Sequence, residues 1–154
     1  MGSEITRAEV YGKYADDLVR FATGLVGPAD GPDVVSDAMV KVLWSDHWGE
    51  IRNHRAYLYR SVLNEAHRHH RSTMRRRASE VRAGVPHSNV MVEVRPDVLD
   101  AVGRLSVKQR AVVFLVYWED LSIAETARRL ELSEGTVHRN LVRAEARLGR
   151  LLCD

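Results

Sequence analysis

Apolar residues recur at intervals of three and four along most of this chain, the spacing of helices with one buried face. Tyr11, Tyr14, Leu18, Phe21, Ala22 and Leu25 form the first such stripe. Thr6-Arg7-Ala8-Glu9 ahead of it fits a capping box, and Gly27-Pro28 stops it. Asp30-Gly31-Pro32-Asp33 restarts a helix with acid at its positive end, and Val34, Val35, Ala38, Met39, Val42 and Leu43 follow as its buried face. The pattern breaks over 44–53, "WSDHWGEIRN", which reads mostly as a loop. Asn53 is placed to cap a third helix through about Arg71, with Leu58, Val62 and Ala66 on one side.

From Ser72 to Arg95 the periodicity fades into a charge run followed by Gly84 and Pro86, the composition of a linker with at most a helical first turn or two. Asn89 to Val94 is a weak strand candidate. Beyond it the spacing predicts helices over roughly 97–104, 107–118, 122–130 and 134–151. Ser106-Val107-Lys108-Gln109 and Ser122-Ile123-Ala124-Glu125 open two of them as capping boxes, and Ser133 caps the last. The expectation is an all-α protein of two small helical domains: residues 5–74, a flexible linker 75–95, and residues 96–152.

The last two helices start within a dozen residues of each other. A three- or four-residue turn between helices makes a helix-turn-helix, whose second helix enters the DNA major groove with its N-terminal side chains on base edges. Ala127 is small where the helices would cross, and Leu132 and Val137 would bury the turn. Ser133, Glu134, Thr136, His138, Arg139, Asn140 and Arg143 then supply a polar outer face. Arginine suits guanine and asparagine suits adenine. A helical hairpin of purely structural purpose shows the same caps and stripe. Glu131 stands where such a turn goes left-handed, at a cost of roughly 1 kcal/mol for a residue other than glycine.

Charge sharpens this picture. Residues 1–50 hold 4 Lys/Arg against 9 Asp/Glu, and residues 51–82 hold 9 against 2. An acidic third beside a basic block implies two different partners, one of them a polyanion. Cys153 is the single cysteine, so no disulfide forms within the chain, and a cytosolic location is expected. The first residues, MGSEITRAEVYG, hold no apolar signal segment, and no apolar run approaches the ~20 residues of a membrane span. No Gly-rich phosphate loop, nucleophile motif or metal-ligand cluster appears, so no enzyme activity, cofactor or metal is expected. His67, His69 and His70 lie close together, yet Glu65 is poorly placed to complete a zinc site with them.

The stretch "LDAVGRLSVKQRAVVFLVYWEDLSIAETARRLELSEGTVHRNLVRAEARL" resembles the promoter −35-binding domain of extracytoplasmic-function (ECF) sigma factors. "YGKYADDLVRFATGLVG", "DVVSDAMVKVL" and "AYLYRSVLNEAHRHHR" resemble, in order, that family's domain that binds core RNA polymerase and melts the −10 element. The resemblance implies a sigma factor that lends promoter recognition to core RNA polymerase, with promoter DNA and an anti-sigma protein as further partners. It implies that Asp33, Asp37, Met39, Val40, Leu43 and Trp44 meet the polymerase. It also implies that Arg52, Asn53 and His54, on the base-capturing loop, act with Tyr57, Arg60, Asn64, Arg68 and Arg71 on the −10 element. The family more often has phenylalanine at Met39, tryptophan at Leu43 and tryptophan at Tyr57. Two other readings remain open: a stand-alone helix-turn-helix regulator, and a decoy that holds polymerase without reading promoters. The two promoter elements lie roughly 70 Å apart, two turns of 34–36 Å. About 24 linker residues reach roughly 80 Å at 3.3–3.6 Å each.

Overall fold

The computed structural model describes residues 6–83 and 96–153. Its main helices are α1 (Arg7–Val26), α2 (Gly31–Leu43), α3 (His54–Ala83), α4 (Pro96–Gly103), α5 (Val107–Val113), α6 (Ile123–Leu130) and α7 (Glu134–Leu152). A single 3-10 turn, Trp48–Glu50, precedes α3, and a π-helical segment, Phe114–Trp118, continues α5. Among the described residues there are no strands; the strand candidate at 89–94 lies outside them.

Local chemistry explains most of these boundaries. Glu9 N–H donates to Thr6 Oγ1 at 3.2 Å while Thr6 N–H donates to Glu9 Oε2 at 2.9 Å, so the first capping box is complete. Ser106 and Gln109 form a second complete box. Ser122 Oγ accepts from Glu125 N–H at 3.1 Å, a cap without the reciprocal half. Asp30 precedes α2 but does not cap it; its carboxylate faces His69 Nε2 at 3.2 Å instead. Gly27 ends α1 at φ 96°, a conformation that favours glycine, and its N–H donates to Thr23 O.

Three elements depart from the expected pattern. The buried face of α1 begins at Val10, whereas Tyr11 is exposed and Tyr14 half-buried. The loop after α2 contains the 3-10 turn, whose Trp48 is buried. Most telling, α3 runs on to Ala83 instead of ending near Arg71. Residues 74–79 of it are all exposed, so no apolar stripe announces the extension. Arginine, alanine and glutamate favour helix without burial, and Arg76 pairs with Glu80 at 3.9 Å, four residues on.

Helices α1–α3 pack as a three-helix lobe around Leu18, Phe21, Leu25, Val35, Leu58, Tyr59 and Val62, all buried. Helices α4–α7 form a second lobe around Leu105, Val112, Leu115, Leu130 and Val137. Each such side chain contributes roughly 1.5–3 kcal/mol on leaving water. The lobes also touch. Phe114 of the π segment lies 6.0 Å ring to ring from Phe21, and the two lobes share one apolar cluster. Arg110 donates from Nε to Leu105 O at 3.1 Å and from Nη1 across the seam to Leu25 O.

Candidate nucleic-acid and polymerase interfaces

In the second lobe, α6 and α7 meet as a helix-turn-helix. Glu131 sits between them at φ 53° and ψ 44°, the left-handed conformation expected there, and Leu132 N–H donates back to Ala127 O at 2.9 Å. Ala127 and Val137 are buried and Leu132 half-buried, which fixes the angle between the helices. Ser133 Oγ caps α7 by accepting from Thr136 N–H at 3.1 Å. Glu134, His138, Arg139 and Arg143 are exposed on the outer side. Arg139 Nη2 donates to Thr136 Oγ1 at 3.3 Å, which holds the guanidinium over the first turn. Asn140 is half-buried and its Nδ2 donates to Thr136 O at 2.8 Å, so its amide donor must swing away before it meets a base.

In the first lobe the basic block builds a track. Arg60, Asn64, Arg68 and Arg71 are exposed along one stripe of α3, about 16 Å long at 1.5 Å per residue. Arg60, Asn64 and Arg68 border a groove of ≈ 530 Å³ whose lining includes Tyr57 and Glu65. Glu65 is buried and paired with Lys41, with Arg68 3.9 Å away. At the start of α3, Asn53 is exposed and its Oδ1 accepts from Ala56 N–H at 3.0 Å, the expected cap. Arg52 is exposed, and the His54 ring stacks on Trp48 with centroids 4.4 Å apart. Tyr57 is half-buried edge-on to Trp48, its hydroxyl 3.4 Å from Ser45 Oγ. It belongs to the margin of the core as much as to the groove.

Four residues outside the expected set shape this region. Lys13, Tyr14 and Arg55 join Arg52, Asn53 and His54 around a cleft of ≈ 610 Å³, with Lys13 and Arg55 both over the Tyr14 ring. Arg7 clamps the end of α2 by donating to the carbonyls of Val42, Leu43 and Ser45, and lies over the Trp48 ring. No spacing in the sequence announces contacts between residues so far apart along the chain.

The candidate polymerase face lies on α2. Asp33, Asp37, Val40, Leu43 and Trp44 are exposed, Val40 at 53%, Leu43 at 57% and Trp44 at 83%. Met39, expected in the buried stripe and, from the resemblance, against the polymerase, packs into the core at 8% exposure, so the structure sets it with the stripe rather than on this outer face. Leu43, expected in the buried stripe as well, faces outward, because α2 ends there and Trp44 follows as its C-cap.

The histidines behave individually. His69 bridges Asp30 at 3.2 Å and Thr73 at 3.3 Å. Burial, then the positive charges of Lys108, Arg71 and Arg110 with His70, hold His67 below the ordinary histidine pKa. Burial, then Arg110 and Arg77 with His69, do the same to His70. Among the described residues no three potential metal ligands converge, and no helix is long and apolar enough to cross a membrane.

Similar proteins agree with this two-lobed arrangement. Residues 10–76 match the family model for Sigma-70 region 2, and residues 95–148 match that for Sigma-70, region 4. An RNA polymerase sigma-E factor from Streptomyces antibioticus is 34% identical over 157 residues, spanning 96% of this chain and 84% of that one. The ECF RNA polymerase sigma factor SigM of Mycobacterium tuberculosis is 47% identical over 68 residues, 44% of this chain and 35% of that one. The sigma factor RpoE of Bartonella quintana, solved with the anti-sigma factor NepR, superposes with TM-score 0.64 at 25% identity, covering 94% of this chain and 95% of that one. With two helical lobes, a helix-turn-helix in the second and both regions matched in order, this chain belongs to the sigma-70 family, among the ECF sigma factors that confer promoter recognition on RNA polymerase.

Proposed function

We propose that the chain divides promoter recognition between its lobes, residues 5–74 serving as one domain and 96–152 as the other. The N-terminal turns of α7 read the −35 duplex through Arg139, His138 and Arg143, with Ser133, Glu134, Thr136 and Asn140 at the edge of the contact. The stripe Arg60, Asn64, Arg68 and Arg71 follows the phosphates of the opened −10 strand, since such a track attracts backbone irrespective of sequence. An unstacked base enters the cleft beside Arg52, Asn53 and His54, where the Tyr14 ring offers a stacking face. Tyr57 lines the neighbouring groove with Arg60 and Asn64.

Helix α2 docks on the polymerase. Asp33 and Asp37 offer charge to a basic surface, and Val40, Leu43 and Trp44 offer apolar area that this lobe leaves uncovered. The chain acts by binding alone, without chemistry of its own, and works in the cytoplasm beside the chromosome. Because RpoE of Bartonella quintana is solved with an anti-sigma factor, an anti-sigma protein is proposed here too.

The observation that carries this reading is the outward face of α7, capped and exposed, on a different lobe from the basic track. Reconstitution with purified core polymerase tests it. Transcripts from defined start sites that appear only when the chain is added are the expected result. Duplex binding by the chain with no polymerase association instead makes it a stand-alone regulator. Polymerase binding with no promoter opening makes it a decoy.

A further inference from the structure

The end of α1, the later turns of α3, and α4 with α5 enclose a cavity of ≈ 300 Å³ that no part of the promoter reading uses. His69, His70 and Arg77 of α3 and Arg110 of α5 line it. His70 and Arg77, seven residues apart, share one face of α3, about 100° round the helix from Arg71 and its stripe. Arg110 is half-buried and firmly held. Its Nε donates to Leu105 O at 3.1 Å, Nη1 to Leu25 O and Nη2 to Gly103 O at 3.4 Å. All three acceptors are backbone carbonyls, and among the described residues no carboxylate pairs with Arg110 or with the exposed Arg77. These cations press on one another. Burial, then Arg77, lowers the pKa of Arg110; burial, then Arg110, Arg77 and His69, lowers that of His70. Asp30 is the one acid on the described wall, and His69 Nε2 already meets it at 3.2 Å. Two guanidiniums and His70 therefore face a concave space with no counter-ion of their own. Met74, Leu99 and Val102 make another part of the wall apolar, and Met74 and Leu99 remain exposed.

We propose that this cavity binds a small phosphomonoester, its phosphate taken by Arg77 and Arg110 and its organic part laid against Met74, Leu99 and Val102. A guanidinium carries five N–H donors in a fixed fork that matches phosphate oxygens, and Arg110 commits only three of them to the backbone. A dianion in the cavity satisfies the remaining donors by charge-assisted hydrogen bonds and relieves the repulsion between the cations. The volume lies at the lower end of the roughly 300–1,000 Å³ of small-molecule sites, which suits one phosphate and one ring system. Phosphates of a nucleic acid offer the same chemistry, but a strand needs a continuous groove to run along, whereas this space is enclosed by four helices.

Isothermal titration of the full chain with adenosine monophosphate, inorganic phosphate and adenosine, in phosphate-free buffer, tests the site. The monophosphate is expected to bind, phosphate to bind more weakly, and adenosine to give no heat. Arg77→Ala should weaken the monophosphate by about tenfold or more, because it removes a charge-assisted partner. Arg75→Ala takes an exposed cation from the same helix outside the cavity and should change the affinity by less than about twofold. A short DNA strand of random sequence, titrated in parallel, should respond to the two substitutions alike. Absence of binding by both the monophosphate and phosphate overturns the proposal. Equal losses from Arg77→Ala and Arg75→Ala overturn it too, since they would mean diffuse attraction to a basic helix. Adenosine binding as tightly as its monophosphate removes the phosphate from the site, and monophosphate binding no tighter than phosphate removes the apolar wall. Strand binding weakened by Arg77→Ala as strongly as monophosphate binding, with Arg75→Ala harmless, assigns these cations to nucleic acid and overturns the small ligand.

Discussion

Arg139 and Trp44 show how much a single side chain's setting decides. Arg139 stands on the outer face of α7 with its guanidinium held by Thr136, which limits the rotamers it must give up on meeting a base as proposed. Arg139→Ala is expected to cost about 1–3 kcal/mol at one −35 base pair and little elsewhere. Binding to duplexes varied one position at a time checks this; an equal loss at every sequence would instead assign Arg139 to a phosphate. Trp44 is 83% exposed and contributes little to its own lobe. Trp44→Ala should leave thermal unfolding nearly unchanged while weakening association with core polymerase at least several-fold, since buried aromatics dominate interfaces. Co-purification and melting curves on the same variant separate the two effects. Met39 carries the opposite lesson. It lies one position from Val40, yet it points into the core, so sharing a helix with a docking face does not put a residue on it.

At the scale of elements, caps were the most legible feature. Thr6, Ser106 and Ser133 all accept the backbone bonds that their sequence positions imply, because a cap depends on neighbours three residues away and on nothing distant. The cap on α7 also orders the first turn of the proposed recognition face. Ser133→Ala removes the acceptor of Thr136 N–H and should cost about 1 kcal/mol of stability. It should also lower −35 affinity more than its lost side chain explains, because the first turn frays. Urea unfolding and duplex binding measured together check this. The end of α3 was illegible for the converse reason. Residues 72–80 bury little, so no periodicity marks them, and propensity and a local ion pair extend the helix without an apolar signature.

For the molecule as a whole, the seam between lobes is the least readable feature and the one with a pH dependence. His67 and His70 on α3 face Lys108 and Arg110 on α5. Arg71, Arg77 and His69 lie on their own helix, and Asp30 before α2 is engaged with His69. Their pKa values are lowered from the ordinary 6.5 in the folded structure, so the fold binds protons less readily than the unfolded chain. Their contribution to stability is therefore full above pH 6.5 and falls as the pH drops through 6.5, where the unfolded chain takes up protons. The midpoint of thermal unfolding should decrease from pH 7.5 to about 5.5, and His67→Gln with His70→Gln should flatten that profile. A profile unchanged by the double substitution would assign the effect to other groups.

The sequence by itself determined the two helical lobes, the helix-turn-helix with its left-handed step at Glu131, and the separation of an acidic first third from a basic block. Each of these follows from interactions within one or two turns of chain, where spacing and residue type leave few alternatives. Tertiary structure alone decided that Leu43 turns outward, that Lys13, Tyr14 and Arg55 gather beside the loop of Arg52, and that Glu131 reaches Arg60 across the seam. Those outcomes depend on how helix faces rotate and meet once apolar surface is buried, and contacts between residues 71 positions apart leave no periodic trace in the chain that makes them.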